Sequence, residues 1–487
     1  VYMLKLNKKR TFYIGFSFFT ILMLWQVYNY YCPMFLEELL KSTFGNGDYN
    51  YLIGIIMALD NILALFMLPL FGTLSDKTET KLGKRMPYII VGTLVSLLAF
   101  PFISLLYIKN SFWGVIVLMA LILIAMNIYR SPSVALMPDV TPKPLRSKAN
   151  AIINFVGYIG AIIGSVLTMI FTKKQADGIH LVRNITIWPF LIVSFFMLVA
   201  LIVLVLKIKE NKIVEEMADE MALGEEMSET DEAITDDKPL GKVDKRNLWL
   251  LIFSVFLWYF AFNAVETFGS LYAKNILKTN SWGLATSILA ISSLITFIPS
   301  GILCDKIGRK NSIMLGLGLM IVSLSACFFL TKFSVLLIIL FAIAGMGWAI
   351  INVNSYPMFV ELSSSKNLGK FTGYYYSASQ VAQSITPIII GFVMDFLGYR
   401  AYFPYAAIFM TIALVVFSFV KVPKKDKVHN VNNTIENTNN NESIELKDKK
   451  LNENNEVEES NNVEENISTK ETTESNNDNP DKETISQ

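Results

Sequence analysis

Three ionisable side chains stand inside stretches of the chain that are otherwise apolar: Asp60, Arg130 and Glu266. An ion stranded in hydrocarbon is disfavoured by about 3 kcal/mol or more, so such a residue pairs, faces water or carries function. A carboxyl in that setting can also take up a proton and return it as its surroundings change. Asp60 is expected to be the main proton site, Arg130 its partner, and Glu266 a second proton site or a substrate ligand. The competing reading is a permanent structural Asp60–Arg130 pair. Other chemistry has little to work with. The two histidines are His180 and His429, and Cys32, Cys304 and Cys327 have neither metal nor disulfide spacing. With no nucleophile motif either, the chain is read as a non-enzyme with no cofactor and no metal, its coupling ion a proton.

Amides and aromatic residues accompany these ions at helical spacing. They are Trp25, Tyr28 and Asn29; Asn61; Asn127; Asn150, Asn154 and Tyr158; Trp258 and Asn263; Trp348, Asn352 and Tyr356; and Tyr376, Gln380 and Gln383. Residues four apart share a helix face. Side-chain amides both donate and accept, as sugar hydroxyls do, and Trp and Tyr offer flat faces to a sugar ring. The set is therefore expected to bind a sugar. Taken singly, each polar residue would serve equally as glue between helices, and a Trp near a span end as an interfacial anchor.

Long helices are needed to hold such residues. The chain has 487 residues, 53% hydrophobic and 17% charged, with a mean hydropathy of +0.44, too apolar for a soluble domain. Mostly apolar runs alternate with short charged loops, and a helix needs about 20 residues to cross the hydrocarbon core. Twelve spans are predicted, at 12–32, 51–74, 86–107, 111–136, 148–171, 186–207, 247–271, 283–304, 311–331, 334–358, 371–394 and 401–421. Up to Lys427, the segments on the N-terminal side carry 27 Lys and Arg, against 9 on the other. That bias puts both termini in the cytoplasm.

The expectation is an all-α, multi-pass protein of the cell membrane with twelve transmembrane helices in two pseudo-symmetric six-helix bundles. Residues 1–207 form the first bundle, 208–246 an acidic cytoplasmic linker, and 247–421 the second bundle. Residues 422–487 form a tail rich in Asn, Glu, Ser and Thr that buries too little apolar surface to order. The first apolar run has no small-residue cleavage site behind it and is read as a retained helix. The net charge is +1 and the bases sit in loops, so no nucleic-acid partner is expected. The bilayer and a small-molecule sugar are the expected partners, and a monomer suffices.

One half of the chain repeats the other. Gly72 to Pro87 reads G-T-L-S-D-K-T-E-T-K-L-G-K-R-M-P, and Gly301 to Lys310 reads G-I-L-C-D-K-I-G-R-K. Gly72, Asp76 and Gly83 map to Gly301, Asp305 and Gly308; Asn127, Pro132 and Asp139 map to Asn352, Pro357 and Glu361. Duplicated bundles around a central cavity are a transporter plan. Lys84, Arg85, Arg309 and Lys310 are expected to pair with Asp139 and Glu361, with Asp76, Asp305 and Arg146 beside them. Such a cytoplasmic gate would latch that side shut. The competing reading is that these bases only obey the positive-inside bias.

The two loops resemble the signature loops of the major facilitator superfamily, and that resemblance covers almost the whole hydrophobic part of the chain. L-G-K-R-M-P at 82–87, S-P-S-V-A-L-M-P-D at 131–139, R-S-K-A-N-A at 146–151, A-L-D-N at 58–61 and Y-R-S-P at 129–132 resemble elements of its sucrose/proton symporter group. G-K-R-M-P-Y at 83–88 is similar to a run shared by the wider glycoside–pentoside–hexuronide cation symporters. The resemblance implies a secondary carrier that imports glucosides such as maltose or sucrose with a proton. At the positions where the melibiose-type relatives hold two sodium-binding acids, this chain has Ala64 and Leu68, which favours protons over sodium. Two alternatives stand. A drug/proton antiporter would carry a glycine- and proline-rich fifth helix, whereas here Gly157, Gly160 and Gly164 come without proline. A non-transporting sensor would work through the linker or tail.

Overall fold

The computed structural model describes residues 4–175, 178–232, 242–362 and 368–421. The tail from 422 onward, His429 included, and the side chains of His180, Asp305 and Glu361 lie outside the described residues.

Each of the twelve predicted spans coincides with a helix to within a few residues, except that the first helix runs on past 32 to Phe44. The first half holds α1 (Lys8–Phe44), α2 (Asn50–Asp76), α3 (Met86–Ile108), α4 (Phe112–Asp139), α5 (Arg146–Phe171) and α6 (Ile187–Lys207). Then come α7 (Glu210–Glu216) and α8 (Ala218–Glu232). The second half holds α9 (Lys242–Tyr272), α10 (Trp282–Ile307), α11 (Arg309–Cys327), α12 (Val335–Leu362), α13 (Leu368–Leu397) and α14 (Tyr402–Ser418). Eleven of the twelve long helices carry an apolar stretch sufficient to cross a membrane, and α10 carries a shorter one, Trp282–Phe297. Alternation up and down gives the molecule two ends: a near end, where α1 begins, and a far end, where α1 stops.

The sequence repeat is a repeat of packing. In the first half α1 packs on α5 and α6, α4 packs on α2 and α3, and α3 packs on α6. In the second half α9 packs on α13 and α14, α12 on α10 and α11, and α11 on α14. Shifting each helix number by eight turns one set into the other. The contacts between halves obey the same rule: α2 packs on α13, and α5 on α10. Duplicated halves related by a pseudo-twofold axis are thus visible in the packing itself.

Three features go beyond the sequence expectations. At 37 residues, α1 runs about 55 Å at 1.5 Å per residue and so outreaches the hydrocarbon core. Glu37 and Glu38, beyond its predicted span, are therefore still helical. The linker is also no loose tether. Ile213 and Met217 join a buried apolar cluster with Leu136, Val140, Ile153 and Leu204 of the first half. Arg10, at the start of α1, donates to the Val140 carbonyl at 3.1 Å and approaches the Met217 sulfur at 3.3 Å. A short hairpin, Lys173–Gln175 against Gly178–His180, follows α5 where a plain loop was expected.

Glycine permits a close approach between the halves. A Cβ on Gly54 of α2 would lie 2.1 Å from the Pro387 carbonyl oxygen of α13, so the two backbones meet as only a residue without a side chain allows.

Candidate functional site

Two chambers open between the halves at the depth of the predicted polar residues. Trp25, Asn29 and Glu266 line both. The polar chamber spans about 710 Å³, part of it open to solvent, and adds Tyr28, Asp60, Asn61, Arg130, Asn263 and Gln383. The aromatic chamber spans about 1030 Å³, part of it open to solvent, with Tyr158, Phe262, Trp282, Phe341 and Trp348 in its walls. Its Trp348 ring stacks flat on Phe262 at 3.8 Å between centroids.

The polar chamber holds hydrogen-bonding groups that the protein leaves unused. Asp60 is buried, and its Oδ1 has no partner. The hydroxyl of Tyr28 is buried and also without a partner. Asp60 and Arg130 line the same space, yet among the described residues no ion pair within 4.0 Å joins them. Glu266 presents its side chain to the open space rather than to packed protein. Buried polar groups normally find partners; Asp60 and Tyr28 lack them beside open space, as do the Tyr30 hydroxyl and Ser270 Oγ in the aromatic chamber, so a solute or water can complete the bonding in both.

Other predicted residues join the halves or lie apart from the chambers. Asn61 donates to the Gln383 carbonyl at 3.2 Å, and Gln380 donates to the Asn61 carbonyl at 3.1 Å, tying α2 to α13 at mid-depth. Asn127 turns its amide back to the Leu123 carbonyl at 2.9 Å and lines neither chamber. Asn154 donates to Asn150 along α5, again outside both chambers. Trp258 is fully buried against Phe417 of α14 and belongs to the packing inside its own half. Asn352 accepts from the Tyr259 hydroxyl at 3.1 Å and donates to the Trp348 carbonyl, which backs the aromatic chamber from behind. Tyr356 and Tyr376 make a ring contact at 5.8 Å, outside both chambers.

The near-end loop is organised around Arg85. Its Nε donates to Asp139 Oδ2 at 2.7 Å, it donates to the Gly72 carbonyl at 3.2 Å, and it bonds Ser75 and Asp76. Lys84 reaches the same Asp139 oxygen at 3.2 Å. Burial alone would lower the Arg85 guanidinium, but the Asp139 and Asp76 carboxylates outweigh it and hold it above the usual arginine range. This network binds α2, α3 and α4 of one half and, among the described residues, reaches nothing in the other. Arg146 braces the α4–α5 turn by donating to the Thr141 and Pro138 carbonyls, both at 3.1 Å. In the second half Lys310 donates to the Ser418 and Val420 carbonyls at 2.7 Å, and Arg309 opens α11.

Sequence reasoning missed Glu210. Its carboxylate, 1% exposed, accepts from the backbone N–H of Lys84, Arg85 and Met86 at 3.0–3.1 Å. Those are donors that a helix start leaves without intrahelical partners, and an acid there also faces the positive end of the α3 dipole. Gly83 makes room: its φ is +113° and a Cβ there would strike Glu210.

A second group missed in the sequence closes the far end. Lys274 of α9's C-terminal extension lies 3.0 Å from Glu37 and 3.2 Å from Glu38 of α1. Asp395 of α13 accepts from the backbone N–H of Asn50 and Tyr51 at the start of α2, both at 2.9 Å. Tyr399 donates to Glu37 and to Asn50, and Asn280 donates to the Met169 and Thr172 carbonyls. Among the described residues, every hydrogen bond between the halves lies at mid-depth or at this end. The signal available was the pair Glu37–Glu38 itself, an acidic step at the end of an apolar run.

Two packed six-helix halves enclosing a polar chamber define a polytopic α-helical membrane transporter. The chain belongs to the Major Facilitator Superfamily, whose family model matches residues 14–283 and 277–448. It is similar to an uncharacterised MFS-type transporter of Methanocaldococcus jannaschii, 25% identical over 365 residues, which are 73% of this chain and 82% of that one. Among solved structures, the inward-open xylose transporter XylE from E. coli aligns with a TM-score of 0.61 at 16% identity, over 86% of this chain and 97% of that one. A mutant of the nucleoside transporter NupG aligns with a TM-score of 0.61 at 13% identity, over 85% and 100%. At these identities the likeness is one of fold.

Proposed function

We propose that this transporter is a proton-coupled symporter of a glycoside, working by alternating access in the cell membrane with both termini in the cytoplasm. One observation carries the reading: Asp60, buried with an unpartnered oxygen, shares a chamber with Arg130, Glu266 and several amides. A carboxyl held this way can switch between ion and acid as a solute enters, and amides with an arginine suit a polyol's hydroxyls. Asp60 is then the proton site, Arg130 its electrostatic counterweight, and Glu266 and Asn29 the ligands at the chamber wall. The sucrose/proton symporter motifs support the same reading. Because the cross-half bonds gather at the far end, the conformer corresponds to an inward-facing carrier when the N-terminus is cytoplasmic.

The test separates coupling from binding. In proteoliposomes Asp60→Asn is expected to abolish uphill glucoside uptake driven by a pH gradient while retaining exchange of labelled for unlabelled substrate. Coupled uphill uptake by that variant would refute the proton role.

A further inference from the structure

Taken together, the two chambers hold more acid than base. Among the described residues their charged lining side chains are Asp60, Glu266 and Arg130, so two carboxyls share one guanidinium. Arg130 lines the polar chamber and not the aromatic one, where Glu266 is the one charged lining residue among those described. Among the described residues no base lies within 4.0 Å of Glu266, and its side chain is exposed to the open space. Oxygens without a partner stand in the same wall. Ser270 lies one turn along α9 from Glu266, on the same face, and its Oγ is buried and unbonded, as is the Tyr30 hydroxyl. The rings of Trp25, Tyr158, Trp282 and Trp348 line the space around them.

Resting on the glycoside reading above, we infer that the substrate is a sugar carrying a positively charged amine, with the ammonium at Glu266. An ammonium has three donors and no acceptor, and the Glu266 carboxylate, Ser270 Oγ and the Tyr30 oxygen are all able to accept. Aromatic faces attract a cation in addition. A closed chamber also excludes the water that would otherwise screen the carboxylate, so a positive partner gains more there than in solution. A neutral hydroxyl in that place donates a single bond and leaves the charge uncompensated. The preferred class is therefore an amino sugar or iminosugar rather than a neutral disaccharide.

The experiment is equilibrium binding to the purified full-length protein in nanodiscs, followed by tryptophan fluorescence, at a pH where the amines are protonated. The charged probes are glucosamine and the iminosugar deoxynojirimycin. The neutral ones are glucose, N-acetylglucosamine, methyl glucoside and maltose, and tetraphenylphosphonium serves as a cation without a sugar. The expected result is that a charged sugar binds about tenfold or more tightly than every neutral one, the scale of one hydrogen bond to a charged group. Glu266→Gln is expected to bring that ratio to about one. Glu266→Asp, which keeps the charge, is expected to hold part of the preference, and its complete loss there would overturn the placement as surely as its survival in Glu266→Gln. If neutral sugars bind as tightly as charged ones, the ammonium is overturned and the glycoside reading stands. If no sugar binds, charged or neutral, the glycoside reading falls and the amino sugar with it, and binding of tetraphenylphosphonium alone would replace both with an organic-cation carrier.

Discussion

Lys274 on one half and Glu37 on the other approach to 3.0 Å, and Glu37 is 4% exposed. This contact crosses the boundary that alternating access must open. Removing the only partner of a buried charge costs about 3–5 kcal/mol; Lys41 also reaches Glu37 at 2.9 Å, so losing Lys274 costs less than that, and the cost falls only on the far-closed state.

Lys274→Met is therefore expected to populate a far-open state. A cysteine placed at Ser270 in a cysteine-free background should then react with a membrane-impermeant maleimide added at the far side at least tenfold faster than without Lys274→Met. Unchanged labelling would remove the pair from the gate.

Gly54 predicts the same shift by a different route. Gly54→Ala puts a methyl group 2.1 Å from the Pro387 carbonyl oxygen. Overpacking of this kind costs about 1–3 kcal/mol, again paid only where α2 and α13 are pressed together. Far-side labelling should rise as for Lys274→Met, with no electrostatic component and so no dependence on salt.

Glu210 supports the near-end loop rather than the passage. Glu210→Gln keeps an acceptor but loses the charge that three backbone N–H groups share. Hydrogen bonds to a charged group contribute about 1.5–3 kcal/mol, so the apparent Tm should fall by about 3 °C or more. The Arg85 guanidinium, raised against its burial by Asp139 and Asp76, stays charged as pH rises through the working range. Arg85 should therefore keep its bonds to Asp76 and Asp139 in Glu210→Gln, and an unchanged apparent Tm would remove Glu210 from the clamp.

Glu266→Gln tests the chamber wall that both spaces share. Removing the carboxylate while keeping its size is expected to weaken glucoside binding about tenfold or more, the scale of one charge-assisted hydrogen bond. Unaltered affinity with altered pH dependence of uptake would instead make Glu266 a proton site.

The fold was legible because its signals are local. Twelve apolar runs and a repeated G-x-x-x-D loop are written along the chain, and a span needs only length and composition. The chamber was partly legible: Trp25, Asn29, Asp60, Asn61, Arg130, Asn263, Glu266 and Gln383 face one space. Trp258 and Asn127 show the limit. A polar or aromatic residue in a span satisfies itself on its own helix or neighbour as readily as it faces a cavity, and the helix rotation that decides this is set by packing. The cross-half bonds were illegible for a related reason. Glu37, Lys274 and Asp395 look like ordinary loop charges until α1 is seen to run on past its apolar segment, and only the arrangement of the halves sets them against one another.

Proton-driven glycoside transport is most directly tested by uptake of labelled methyl glucoside and labelled maltose into proteoliposomes of the full chain, with and without an imposed inside-alkaline pH gradient. The account predicts accumulation above the outside concentration only with the gradient, collapse on adding a protonophore, and no substitution of a sodium gradient for it. Uptake that ignores the pH gradient, or that sodium alone drives, would contradict it.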